Sequence, residues 1–233
     1  MAEFDGIIFD CDGVLVDSEV LARRAMQSVY RQAGIDVSAD MVNAVVGMKF
    51  ADILASIETR TGRSLAKEYH PQFWTETKAL FTAELAPTPG IVAFLEASTL
   101  PRCVASSSDH ERIRHSLKVT GLDRFFSDDA IFSSHDVKRG KPEPDLVLHA
   151  ASRMGFDPAR SLVIEDSRFG IMGAKAAGMV AYGFLGGAHL LANTGDALRD
   201  AGADFVARTY DEIAAEMVRG GRRMEIQRDP SRG

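Results

Sequence analysis

Gly6-Ile7-Ile8-Phe9-Asp10-Cys11-Asp12-Gly13-Val14-Leu15-Val16-Asp17 is the stretch on which the fold of this chain turns. Gly6-Ile7-Ile8-Phe9 is short, apolar and β-prone, so it reads as a buried strand of a parallel sheet. The strand stops on Asp10, and Asp12-Gly13 follows, so two carboxylates stand two residues apart where a strand passes into a turn. In an open α/β sheet, ligands gather just beyond the carboxyl ends of the strands. A strand ending on an aspartate therefore delivers that carboxylate to the edge where a site forms. Burying two anions so close together is unfavourable unless a cation lies between them or one takes up a proton. The pattern predicts a divalent-metal site, a carboxylate nucleophile with an acid/base partner, or both.

Working outward, the chain does not go directly to a second strand. From Ser18 to about Leu85 the apolar residues recur at helical spacing: Val20, Leu21, Met26, Val29 and Tyr30, then Met41, Val45 and Val46, then Ile53, Leu54 and Ile57, then Phe73, Trp74, Leu80 and Phe81. Gly34, Gly47 and Gly62 mark turns between these helices. Pro87-Thr88-Pro89-Gly90 ends the segment with a stiff turn. Strand and helix then alternate: helix 90–98, strand 102–106, helix 109–120, strand 130–132, helix 143–154, strand 161–165, helix 169–177, strand 180–184, strand 204–207 and a helix from Tyr210 to about Arg219. This order predicts a doubly wound parallel α/β sheet with right-handed crossovers. The expected organisation is a catalytic core of residues 1–17 and 87–219, an all-helical cap of residues 18–86 inserted after the first strand, and a flexible tail of residues 220–233. Both connections to the cap adjoin the strand bearing the aspartates, so a cap hinged there is expected to close over the site and exclude water.

Bulk properties narrow the possibilities. At 233 residues, 45% hydrophobic and 26% charged, the chain has the composition of a soluble globular protein with a full core. A net charge of -6 argues against a general nucleic-acid surface. No apolar run approaches the ~20 residues of a membrane span, and the few residues before the first strand are not expected to act as a secretory signal, lacking a charged-then-apolar pattern. The expectation is a cytoplasmic protein with no membrane partner, monomeric or weakly dimeric. The two cysteines, Cys11 and Cys103, fall on or beside strands and read as small buried apolar residues. None of the six histidines is spaced as a metal pair, and Gly186-Gly187 lacks the rest of a dinucleotide fingerprint.

Three further segments carry chemistry. Val104-Ala105-Ser106-Ser107 ends the next strand on hydroxyls, where Ser106 and the backbone N–H of Ser107 suit a phosphoryl oxygen. Ser108 or Asp109 then caps the following helix. Lys141-Pro142-Glu143-Pro144-Asp145 presents a lysine on a stiffened loop, and its ammonium suits a phosphate. Lys138 and Arg139 beside it read as solvated charges. Val163-Ile164-Glu165-Asp166-Ser167 brings a second carboxylate pair to a strand end. Hard oxygen ligands of this kind suit Mg²⁺.

With the Asp-x-Asp-Gly-Val-Leu-x-Asp run, these segments in this order resemble the phosphotransfer branch of the haloacid dehalogenase-like superfamily, from about Phe4 to about Phe184. The resemblance implies a Mg²⁺-dependent phosphatase acting on a small phosphorylated metabolite. Asp10 is then the nucleophile that forms an aspartyl-phosphate. Asp12 is the acid/base residue, its backbone carbonyl ligating the metal. Ser106, Ser107 and Lys141 bind phosphate, and Asp10 and Asp166 are metal ligands. Glu165 is a candidate either for the metal or for its outer surroundings. An aspartate at position 12 favours phosphate monoesters over the haloacid and phosphonate substrates of other branches. β-Phosphoglucomutases share all four segments, but they usually carry a histidine and an arginine where this chain has Ala22 and Phe50. The likeness is therefore greater to bacterial phosphatases of sugar phosphates, including the 6-phosphogluconate and phosphoglycolate types. Lys49 and Phe50 are the expected cap contacts to substrate. A mutase, and less readily a non-catalytic binding module, are the alternatives.

Overall fold

The computed structural model describes residues 4–43, 45, 50–187 and 193–227. Among the described residues, strand β1 (Gly6–Phe9) is followed by the α-helices α1 (Glu19–Gln32), α2 (Ala39–Asn43), α3 (Phe50–Thr61) and α4 (His70–Glu84). Then come α5 (Ile91–Ala97), β2 (Arg102–Ser106), α6 (His110–Thr120), β3 (Ile131–Ser133), α7 (Asp145–Met154) and β4 (Ser161–Glu165). The chain finishes with α8 (Arg168–Ala176), β5 (Val180–Phe184), α9 (Thr194–Asp200), β6 (Phe205–Ala207) and α10 (Tyr210–Gln227). Two compact units result, one of Met1–Asp17 with Pro87–Gly233 and one of Ser18–Ala86.

The first unit is built on six parallel strands in the order β3-β2-β1-β4-β5-β6. The chain runs outward from β1 through β2 to β3, then crosses back to lay β4 against the other side of β1. At such a reversal the connections leave toward opposite faces and open a crevice at the strand ends. The reversal separates β1 from β4, the two strands that end on carboxylates. Their register sets Phe9 opposite Ile164, and the Asp10 N–H donates to the Ile164 carbonyl at 3.0 Å.

Successive β1 side chains point to opposite faces of the sheet. Ile8 joins a buried cluster with Cys103, Ala105, Leu146, Val147, Val163 and Ile171. Phe9 packs edge-on against Phe94 and Phe126, with ring centroids 6.2 and 6.1 Å away. Burying each such side chain contributes about 1.5–3 kcal/mol. Both cysteines are free and buried, and burial pushes both thiols up, away from the reactive thiolate.

The turn after β1 is pinned to this core. Gly13 sits at φ 77°, left-handed backbone that a residue with a Cβ adopts only with strain. The Val14 carbonyl accepts hydrogen bonds from the Thr88 hydroxyl and, at 2.7 Å, from the Tyr210 hydroxyl. The Tyr210 ring packs on Phe94 and Phe184, with centroids 5.1 and 4.5 Å distant.

The Ser18–Ala86 unit has its own core of Val29, Tyr30, Ile35, Val37, Val42, Val45, Ile57 and Leu65. Tyr30 meets Phe73 edge-on at 5.8 Å, joining α1 to α4. Val20, expected in the α1 stripe, is instead exposed.

Two helical segments go beyond the sequence reading. The segment 220–227, expected as part of a flexible tail, continues α10 to Gln227. Gly220-Gly221 disfavours helix, but Arg222, Arg223, Met224 and Glu225 beyond it are good helix formers. Helix α9 had no sequence signal, because in its seven residues only Gly195 and Leu198 are buried and no apolar stripe exists. Among the described residues, no helix is long and apolar enough to cross a membrane.

Candidate active site

The ends of β1 and β4 bring Asp10, Glu165 and Asp166 together, each offering a carboxylate oxygen within 4.8 Å of the others. Lys141 reaches the same point from the loop before α7. Its Nζ donates to Asp10 Oδ1 at 2.7 Å and to Glu165 Oε1. The Lys141 side chain is only 7% exposed and that of Glu165 1%. A pair this enclosed escapes the solvent screening that weakens surface ion pairs.

The charges do not balance. One ammonium faces three carboxylates, and burial raises Asp10 well above the usual carboxylate range. Lys141 opposes that shift, while Glu165, Asp166 and Asp12 add to it. Burial alone would lower Lys141, but Asp10 and Glu165 outweigh it and hold the ammonium above its ordinary range. The lysine stays charged and the surplus is negative. A divalent cation suits such a surplus, and an all-oxygen carboxylate donor set fits Mg²⁺.

Glu165 is committed on both oxygens. Oε1 accepts from Lys141, and Oε2 accepts from the Ser167 N–H at 3.0 Å and the Ser167 hydroxyl at 2.9 Å. Ser167 also caps α8 by accepting from the Gly170 N–H at 3.1 Å. The carboxylate lies directly over Gly170, where a Cβ would fall 1.8 Å from Glu165 Oε1. Gly170→Ala should therefore displace Glu165 from Lys141, lower stability by about 1–3 kcal/mol, and reduce activity. Thermal melts beside activity measurements check this; an unshifted melting temperature would contradict it.

Asp12 lies beside the group but is held by other residues. The Ser108 hydroxyl donates to Asp12 Oδ2 at 2.6 Å, and Arg112 Nη2 donates to Asp12 Oδ1 at 2.8 Å. Ser106 closes β2, with Phe9 and Val104 in register, so it stands one residue beyond the level of Asp10. It is 1% exposed, and its hydroxyl oxygen accepts the Ser108 N–H at 3.1 Å. The Ser107 carbonyl accepts from the Ser134 hydroxyl at 2.9 Å. Of the expected cap contacts, Lys49 lies outside the described residues, and Phe50 begins α3 with its side chain undescribed.

Two contacts to Asp12, from Ser108 and Arg112, had no sequence signal. Of the two alternatives for the helix cap, Asp109 caps α6, accepting the Arg112 N–H at 2.8 Å, and Ser108 turns to Asp12. Arg112 carried no signal, because its partner is 100 positions away in the chain. Arg139 is solvated as expected, its side chain 61% exposed, and it also donates to Asp145 at 3.2 and 2.9 Å beside the Lys141 loop.

A doubly wound parallel sheet with clustered carboxylates and a buried lysine at its switch point defines a class: an α/β enzyme with the means to handle a phosphoryl or similar anionic group. The family model "Haloacid dehalogenase-like hydrolase" matches residues 7–184, and the chain belongs to that family. It is 33% identical over 191 residues to 6-phosphogluconate phosphatase of Escherichia coli, spanning 81% of this chain and 86% of that protein. A haloacid dehalogenase-like protein of Agrobacterium tumefaciens superposes with a TM-score of 0.81 at 35% identity, covering 92% of this chain and 98% of that one. A family hydrolase of Deinococcus radiodurans with bound phosphate and sodium does so with a TM-score of 0.78 at 30% identity, over 95% and 98% of the two chains.

Proposed function

We propose that the protein is a Mg²⁺-dependent phosphatase of small phosphorylated metabolites, sugar or sugar-acid phosphates foremost. The observation that carries this reading is the convergence of Asp10, Lys141, Glu165 and Asp166, with Asp12 alongside. The likeness to a 6-phosphogluconate phosphatase supports the substrate class.

Asp10 attacks phosphorus in line, forming a carboxyl O–P bond as the P–O bond to the substrate alcohol breaks. Asp12 gives the leaving oxygen its proton. Water then attacks the aspartyl-phosphate and loses a proton to Asp12, releasing phosphate and restoring the Asp10 carboxylate. Lys141 neutralises Asp10 and the phosphoryl oxygens throughout. Ser106 and the Ser107 N–H orient the phosphoryl group. Asp10 and Asp166 are the proposed metal ligands, with the Asp12 carbonyl; Glu165 holds Lys141 and stands behind them. A bound Mg²⁺ would offset negative charge on the transferring group.

Incubating the purified protein with a panel of phosphorylated sugars and Mg²⁺, and measuring inorganic phosphate, tests the proposal. Release that stops on chelation is expected. Interconversion of a sugar 1-phosphate and 6-phosphate without release would instead identify a mutase. Inertness toward every phosphate ester would overturn both.

A further inference from the structure

We propose that Arg112, together with Ser108, positions Asp12 for proton transfer to the leaving oxygen. The inference rests on the phosphatase reading above and adds a residue to it. A side chain that serves both half-reactions must hold one orientation while its proton partner changes from an alkoxide to a water. Asp12 has two rotatable bonds and stands on a turn, so the backbone alone does not aim it. The structure supplies a bracket: Ser108 grips Oδ2 at 2.6 Å and Arg112 Nη2 grips Oδ1 at 2.8 Å.

Both prongs are themselves fixed. Ser108 immediately precedes Asp109, the N-cap of α6, and Arg112 lies in the first turn of that helix, so both prongs come from one helix end. The Asp109 side chain caps that turn through the Arg112 N–H at 2.8 Å. The Ser108 carbonyl accepts from the Ser133 hydroxyl at 2.7 Å, and the Ser108 N–H donates to Ser106 Oγ at 3.1 Å. The bracket is thus tied to the ends of β2 and β3. The Arg112 side chain is 23% exposed and that of Asp12 13%, so the contact is largely enclosed. Arg112 need not touch substrate; it acts through Asp12.

The test uses leaving groups. p-Nitrophenolate departs without a proton, whereas a sugar alkoxide needs one. The ratio of kcat/KM between a sugar phosphate and p-nitrophenyl phosphate therefore reports proton donation in the first half-reaction. With Mg²⁺ present, Arg112→Ala should lower the sugar-phosphate value roughly 10- to 100-fold, a part of what general acid catalysis supplies. The aryl-phosphate value should stay within about threefold, and Arg112→Lys should restore part of the loss. In an Asp12→Asn background, Arg112→Ala should cost nothing further, since the residue it positions is gone. Equal losses on both esters, or an additive loss in that background, would overturn the proposal while leaving the phosphatase reading intact. Wild-type enzyme inert toward both esters would remove that reading and this one together.

Discussion

Asp10→Asn should yield a folded protein whose phosphate release falls at least about a thousandfold. An amide at this position no longer offers an anionic oxygen to phosphorus, and losing a covalent nucleophile costs rates of this order or more. The fold should survive because Asn keeps the volume and removes a charge that the site holds with difficulty. Asp10 is buried among Glu165, Asp166 and Asp12, and Lys141 is the ammonium that answers it. Its carboxyl is raised above the usual range, so in the folded protein it keeps its proton at pH values where the unfolded chain has lost it. The stability this contributes is full below the unfolded value of about 3.9 and is lost as pH rises through the folded value. In chelator, wild-type melting temperature should thus fall with rising pH relative to Asp10→Asn, and added Mg²⁺ should narrow the gap. Parallel melts across pH check the sign. A gap that widens toward acid pH would show that Asp10 is instead stabilised as an anion, and retained turnover would remove it as nucleophile.

Lys141→Met should be more damaging to the fold. It leaves Asp10 and Glu165 without their shared ammonium in a site that is almost closed to water. Removing one partner of a buried ion pair costs about 3–5 kcal/mol, because the remaining charge is neither solvated nor paired. Activity should drop by about 10²–10³-fold or more, as when a preorganised charge is taken from a developing anion. Mg²⁺ should raise the melting temperature of this variant more than that of wild type, since the cation offsets part of the lost charge. A variant that melts like wild type in chelator would mean that solvent reaches these carboxylates and that Lys141 is not the counter-charge described.

How much of this was readable in the chain alone depended on range. The strands at 102–106, 161–165 and 180–184 match β2, β4 and β5 residue for residue, because short, largely apolar runs between turn signals specify extended backbone locally. Helix α7 begins at Asp145 and not at 143, since Pro144 caps it and Glu143 lies in the preceding turn. Helix α9 and the extension of α10 escaped notice for want of an apolar stripe.

By itself the sequence determined which strands end on acids, where a lysine sits on a stiffened loop, and that a helical segment follows β1. It did so because periodicity, turn residues and strand termini are encoded within a few residues of where they act. Only the tertiary structure decided that β4 lies beside β1, setting Asp10 near Glu165, and that Arg112 reaches Asp12. Strand order and side-chain pairing over 100 or more positions follow from how helices of both faces pack on the sheet, and no local pattern in the chain records that competition.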